Sequence, residues 1–303
     1  GMVSNPGVVL ERDGAQYRVL LADGTEVRAV LRGKLKRETP QVVVGDRIQL
    51  EDEAQGDLYG IAAVEPRRSI VERRVPLGRG ARPVVANVDR VIVVTATTDP
   101  APIPSLIDRL LVVAEVNELP AVLVVNKIDL DPGTALIGRY REVGYTVVAT
   151  SAWTGAGIDG ISALLAHGES VVTGPSGAGK SSLLNAIGTG LTLRTGAISE
   201  KGRRGRQTTV GAVMVPFGTD AFLVDTPGFS EVGLWGVEPR ELAACFPEFR
   251  PLLGQCRFPD CRHVHEPGCR IIAATEAGTI HADRLASYRL LLAETEAEPA
   301  DWE

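Results

Sequence analysis

No apolar run in this 303-residue chain is long enough to cross a bilayer, and no charged-then-apolar leader pattern opens it. A helical membrane span is therefore not expected, and a cytoplasmic protein is the default expectation. Cysteine is absent until position 245. The four cysteines, Cys245, Cys256, Cys261 and Cys269, crowd into the last quarter, which in a reducing compartment reads as metal binding rather than a disulfide framework. Positive charge is not in excess either: the formal net charge is −6. That balance predicts solubility and weighs only weakly against nucleic acid, because local patches decide such binding. Gly1, ahead of Met2, reads as an added residue and carries no weight.

What is present divides into textures, and the length suffices for two or three domains. Residues 2–70 hold short apolar runs, such as Gly7–Leu10, Tyr17–Leu21 and Val27–Leu31, separated by the turn pairs Asp13-Gly14 and Asp23-Gly24. Val42–Val44 and Ile48–Leu50 continue the pattern, so an all-β OB-fold barrel is expected, with an SH3-like barrel also compatible. Arg32, Lys34, Lys36 and Arg37 fall in a loop between two of these strands, either a solvated loop or a phosphate-contacting patch. Residues 71–84 read as a polar linker. From 85 to 235, nearly continuous apolar runs (Arg90–Thr95, Ala121–Val125, Thr146–Ala149, Ser170–Thr173, Ala221–Val224) alternate with the helical stretches Ser105–Glu118, Thr134–Val143, Gly160–His167 and Lys180–Gly188. Runs of this kind are strands buried on both faces, so a doubly wound α/β domain is expected, with its ligand at the carboxyl ends of the strands. Residues 236–303 turn mostly helical, hold the cysteines and end in an acidic tail.

Gly174-Pro175-Ser176-Gly177-Ala178-Gly179-Lys180-Ser181 matches G-x-x-x-x-G-K-[ST], with a strand before it and a helix after it. Glycine lets the backbone N–H groups wrap a phosphate; Lys180 neutralises the β- and γ-phosphates, and Ser181 is the expected Mg²⁺ ligand, followed by Ser182 in the same loop. The base is read elsewhere. Asn126-Lys127-Ile128-Asp129 follows an apolar strand, and the Asp129 carboxylate can accept both guanine donors, whereas adenine would leave it unsatisfied. Asn126 can tie this loop to the phosphate loop, and the Lys127 stem can cover the base. Ser151-Ala152, one strand later, can offer a backbone N–H to the guanine carbonyl oxygen. GTP and GDP are therefore the expected substrate and product.

The order is unusual: guanine loop, Ser-Ala loop, phosphate loop, then Asp225-Thr226-Pro227-Gly228. A doubly wound domain whose ends lie close together tolerates this circular permutation. Asp225 is the expected Mg²⁺-holding carboxylate, and the Gly228 N–H is placed for the γ-phosphate. The first switch is expected over Lys201–Thr209, with Thr208 or Thr209 on Mg²⁺. Ras-type enzymes carry a water-positioning Gln just after the second-switch glycine, and this chain has Phe229 there. Gln207 is the candidate for water orientation, or else an exposed polar residue in a loop. Intrinsic turnover is expected to be slow, on the order of 10⁻⁴–10⁻² s⁻¹. Farther on, Cys256-x₄-Cys261-x-His263-x₅-Cys269 supplies a Cys₃His set suited to one structural Zn²⁺, with His265 competing for the fourth place and Cys245 read as a small buried side chain.

Together, Arg32–Lys36, Val44–Asp46, Ala86–Asp89, Asn126–Asp129, Gly174–Ser182, Gly205–Thr209, Asp225–Phe229 and Cys256–Cys269 resemble the RsgA (YjeQ-type) family of circularly permuted, ribosome-associated GTPases, over nearly the whole chain. The resemblance implies an N-terminal OB-fold, a permuted P-loop GTPase domain and a C-terminal zinc domain. It implies binding of the small ribosomal subunit and its rRNA, not DNA or a membrane, during late subunit maturation, with turnover stimulated by the subunit. It also makes Cys256, Cys261, His263 and Cys269 the zinc ligands. The family usually has a histidine where this chain has Gln207, so a titrating imidazole is not available there. A monomer is the expected state. An RNA-binding assembly factor holding GTP as a structural ligand, or a GTPase acting on another partner, are the competing readings.

Overall fold

Side-chain alternation closes the first strands into a barrel. In β2 (Gln16–Leu21), Tyr17 and Val19 enter the barrel core while Gln16 and Arg18 stay half-exposed. β1 (Pro6–Asp13) pairs antiparallel with it, and β3 (Glu26–Val30), β4 (Arg47–Leu50) and β5 (Leu58–Val64) complete a closed, OB-like barrel in the order β1-β2-β3-β5-β4. Closure leaves no free sheet edge. The computed structural model describes residues 5–38, 41–74, 81–188, 211–226, 229, 232–234 and 236–297.

Three local expectations need correction. The basic stretch is not a loop but a helix, α1 (Gly33–Glu38): Lys, Leu, Arg and Glu are good helix formers, Lys34 and Glu38 pair at 3.6 Å across one turn, and Leu35 packs on the barrel core. Val42–Val44 forms no strand and makes only a bridge from Val44 to Val85, because the chain turns at Asp46, whose buried carboxylate accepts the Val43 N–H at 2.8 Å and two bonds from Arg67 at 2.8 and 2.9 Å. The expected linker is, in its described part, two antiparallel strands, β6 (Ile70–Arg74) and β7 (Ala81–Ala86), with Val71 and Val85 fully buried. Paired backbone and buried valines outweigh the polar composition that made the segment look like a connector.

Glu169 lies buried where barrel and sheet meet, ion-paired to Arg47 of β4 and 3.9 Å from Arg68 Nη2. Burial pushes its carboxyl up to about 7, and Arg47 then Arg68 only partly pull it back. A carboxyl raised from 4.5 to about 7 on folding gives stability that is fully present below pH 4.5 and lost as pH rises through 7. That is roughly 3 kcal/mol over the window. Compared with Glu169→Gln, the parent chain should therefore lose several degrees of melting temperature between pH 5 and pH 8. Parallel melting profiles for the two proteins would contradict this.

The central sheet has the order β10-β9-β8-β11-β13-β12, built from β8 (Arg90–Ala96), β9 (Ala121–Asn126), β10 (Thr146–Ala149), β11 (Gly168–Thr173), β12 (Val213–Phe217) and β13 (Ala221–Asp225). Along β8, Val91 and Val93 face one core while Ile92 and Val94 face the other, which is why the run is continuously apolar. α2 (Pro104–Val116) and α3 (Thr134–Val143) contribute to the first core; α4 (Ile158–Leu165) and α5 (Lys180–Ile187) contribute to the second. All pairs are parallel except β12 with β13, a hairpin. Among the described residues, no helix is long and apolar enough to cross a membrane.

The C-terminal unit consists of α6 (Pro239–Ala244), a 3₁₀ turn (Pro247–Leu252), α7 (Arg270–Glu276) and α8 (Ala282–Glu296). It continues the first core rather than forming one of its own, with Phe246, Phe249, Tyr288 and Leu292 beside Leu110 and Leu111. Arg284 is buried at that seam. It donates to Asp108 Oδ1 at 2.9 Å and to Glu248 Oε1 at 2.6 Å, and lies 4.6 Å over the Phe246 ring. Tyr140 and Ser287 complete the shell of Asp108, each at 2.6 Å. Arg284→Ala would strand a fully buried carboxylate, which typically costs about 3–5 kcal/mol. Denaturant unfolding should show that loss; a change below about 1 kcal/mol would mean the network carries no such charge.

Candidate active site and metal centre

Every nucleotide-binding candidate in the described residues sits at the carboxyl edge of the sheet. β11 ends at Thr173, the loop Gly174–Gly179 follows, and α5 opens on Lys180. A Cβ at Gly174 would run into the Val94 carbonyl, and Gly179, at φ 86°, would press one on the Asn126 amide. Glycine is required at both positions because the β8 backbone at Val94 and the Asn126 side chain at the end of β9 approach the loop that closely. Asn126, itself buried, ties three loops together. Its Nδ2 donates to the Ala178 carbonyl at 3.2 Å, and its Oδ1 accepts from Thr150 Oγ1 at 3.1 Å and from the Ala152 N–H at 3.2 Å. Of the two N–H groups of Ser151-Ala152, one of which was expected to reach the guanine carbonyl, that of Ala152 is thus engaged by Asn126 and that of Ser151 by the Ala156 carbonyl at 2.9 Å.

Asp129 is exposed and oriented by Ser151, whose hydroxyl donates to Oδ1 at 2.7 Å and accepts from the Thr154 N–H at 3.0 Å. Lys127 has φ 66°; its carbonyl accepts from Thr97 Oγ1 at 2.9 Å, and its ammonium donates to the Asp99 carbonyl. Asn126, Lys127, Asp129, Leu130, Ala152 and Trp153, with Gly179 and Ser182, line one cavity of about 420 Å³. Sequence reasoning missed Thr97, Thr150, Leu130 and Trp153. Thr150, directly ahead of Ser151 at the end of an apolar strand, carried a usable signal; Thr97 carried none.

On the phosphate side, Lys180, Ser181 and Asp225 line a small neighbouring cleft. Burial raises the Asp225 carboxyl, and Lys180 draws it back down. Next to it in sequence, the buried hydroxyl of Thr226 has no hydrogen-bond partner among the described residues. These groups fit a Mg²⁺–phosphate ligand: hard oxygen donors with one cation for charge balance. Gln207, Thr208, Thr209 and Gly228 lie outside the described residues, as does the whole expected first switch. Phe229 is fully buried in the first core, so its side chain serves packing. Just beyond, Arg109 Nη2 holds the Val232 carbonyl at 3.0 Å and Glu294 at 2.6 Å, linking the segment after the second switch to α8.

The second cluster brings Cys256, Cys261, His263 and Cys269 together, their ligand atoms all within 4.8 Å of one another. His265 is exposed and outside it, and Cys245 is buried elsewhere, donating to the Glu241 carbonyl at 3.3 Å. A tetrahedral Zn²⁺ with Zn–S near 2.3 Å sets its sulfurs ~3.8 Å apart. Here Cys256 and Cys269 are 3.9 Å apart, and His263 Nδ1 lies 3.7 Å from the Cys256 sulfur and 3.3 Å from that of Cys269. Backbone N–H groups of Arg270 and Ile272 point at the same sulfurs. Burial, with neighbouring thiols, pushes Cys261 up to about 12, and burial lowers His263, so the imidazole is neutral and available. Burial disfavours ionised Glu266, but backbone N–H groups of Arg262, Val264 and His265 hold it at about 2 and shape the loop around His263. Cys261→Ser should lose the bound metal and loosen the C-terminal unit; full metal content by elemental analysis would refute this ligand set.

The G-x-x-x-x-G-K-S loop after β11, the Asn126–Asp129 loop after the earlier β9, and Asp225 at the end of β13 on the far side of β11 are the arrangement of a circularly permuted P-loop GTPase. The RsgA GTPase family model matches residues 64–235. The chain belongs to that family. It is 45% identical over 293 residues to the small ribosomal subunit biogenesis GTPase RsgA of Gemmatimonas aurantiaca, covering 94% of this chain and 95% of that one. The Moorella thermoacetica protein of the same name is 42% identical, covering 95% and 96%. Among solved structures, YjeQ from Thermotoga maritima superposes with a TM-score of 0.77 at 34% identity, covering 97% of this chain and 99% of that one. YloQ, described as a circularly permuted GTPase, superposes with a TM-score of 0.71, and at 24% identity speaks for the fold alone. The chain is a GTP hydrolase.

Proposed function

We propose that this GTPase binds the small ribosomal subunit through its rRNA, hydrolyses GTP to GDP and phosphate during late subunit maturation, and is stimulated by the subunit. The carrying observation is Asn126, one buried side chain that joins the phosphate loop, the Asp129 loop and the Ser151-Ala152 turn into a single site. It occurs in a chain whose relatives carry the small-subunit biogenesis name along nearly their full length.

In this reading Asp129 accepts the two guanine donors and is aimed by Ser151. Pro175, Ser176, Gly177 and Ala178 present backbone to the phosphates, while Lys180 offsets their charge. Ser181 and Asp225 would hold Mg²⁺ with Thr208 or Thr209, and Mg²⁺ when bound offsets charge on the transferring phosphoryl group. The Gly228 N–H would meet the γ-phosphate, and Gln207 orients the attacking water, since Phe229 is committed to the core. Cys256, Cys261, His263 and Cys269 would hold one structural Zn²⁺.

Residues 2–70, 85–235 and 236–303 are the proposed barrel, GTPase and zinc units, and 71–84, expected as a linker, contributes instead to the paired strands β6 and β7. Lys34, Lys36 and Arg37 stand exposed on α1 as phosphate contacts, whereas Arg32 is half-buried and spent on Glu51 and the Leu58 carbonyl. The protein is proposed to act as a cytoplasmic monomer. Co-sedimentation with purified subunits tests the partner. Binding to small subunits with a non-hydrolysable GTP analogue, weakened by GDP and by added salt, is expected; equal binding to large subunits would overturn the assignment.

A further inference from the structure

Among the described residues, a large aromatic stands almost fully exposed at the rim of the base cavity. Trp153 is 91% exposed, and beside it Leu130 is 60% exposed. Exposing an indole costs apolar surface that a ligand can cover. The backbone beneath it is fixed: Ser151 N–H donates to the Ala156 carbonyl at 2.9 Å, Gly155 N–H donates to the Ser151 carbonyl at 2.9 Å, and the Ser151 hydroxyl holds Thr154 N–H at 3.0 Å. That same Ser151 hydroxyl aims Asp129, so the turn that presents the indole also sets the base-reading carboxylate. Lys127 and Leu130 line the same cavity, which is wide enough for a purine.

We propose that Trp153 stacks on the guanine base, with Leu130 beside it and the Lys127 stem as the other cover, so that affinity and base identity are set by different residues. The inference rests on the guanine-nucleotide reading of this cavity. Stacking acts on any purine face, whereas the Asp129 carboxylate alone senses the donors at the base edge. Loss of the indole should therefore weaken all purine nucleotides alike.

Calorimetric titrations of GDP and XDP into the full chain, Trp153→Phe and Trp153→Ala test this. The Ala variant should bind both nucleotides about tenfold or more weakly, with their affinity ratio unchanged, and the Phe variant should recover most of the loss. In a Trp235→Phe/Trp302→Phe background, Trp153 is the sole indole, and GDP should change its emission. Parent-level GDP affinity in Trp153→Ala, or an unresponsive indole, would overturn the proposal. A parent chain that fails to prefer GDP over XDP would instead overturn the guanine reading.

Discussion

Lys180→Ala should abolish measurable GTP and GDP binding while leaving the fold intact. Lys180 is the first residue of α5 and half-exposed. Its ammonium lines the cleft with Ser181 and Asp225, the one lysine among the described residues there. Two charge-assisted bonds to phosphate are worth about 1.5–3 kcal/mol each, so their loss costs two to four orders of magnitude in affinity. Circular dichroism should be unchanged. Parent-like GTP affinity in this variant would remove the phosphate-loop assignment and the Mg²⁺ cleft built on it.

The second large effect is a change of base. Asp129→Asn replaces two acceptors by one acceptor and one donor. Guanine offers two donors at that edge, so one is now opposed; xanthine offers a donor and a carbonyl, which matches. Sites that hydrogen-bond a polar edge discriminate strongly, so the GDP-to-XDP preference should shift by roughly 10²-fold or more. Ser151 can still hold the side-chain oxygen as it holds Asp129 Oδ1 at 2.7 Å, so the loop should not collapse. An unchanged preference, measured by competition binding, would mean that this loop does not read the base.

Much of this site was legible because it rests on local chemistry. Gly174–Ser181 announces itself by spacing between a strand and a helix, and Asn126–Asp129 by its place after an apolar strand. The continuous run Arg90–Thr95 revealed a strand buried on both faces, which β8 is. The Cys₃His spacing was readable too; spacing alone left His265 competing with His263, the family resemblance favoured His263, and the fold brings His263, at φ 61°, together with the three cysteines.

What stayed hidden depends on contacts between distant segments. Asp108 and Arg284 are 176 positions apart, and nothing in either neighbourhood marks them as partners. β12 runs antiparallel to β13, yet an apolar run looks the same in either direction. Ile70–Arg74 and Ala81–Ala86 looked like a connector because polar, arginine-rich composition says little about pairing. Trp153 was passed over because an exposed aromatic means something only once its place at the cavity rim is known.

The central claim is that a permuted GTPase site turns over in response to the small ribosomal subunit. GTP hydrolysis by the purified chain should be measured alone, with small subunits, with large subunits and with bare RNA. Slow intrinsic turnover, rising by orders of magnitude with small subunits only and lost again in Gln207→Ala, is the predicted result. Turnover that no partner changes, or that large subunits raise equally, would contradict it.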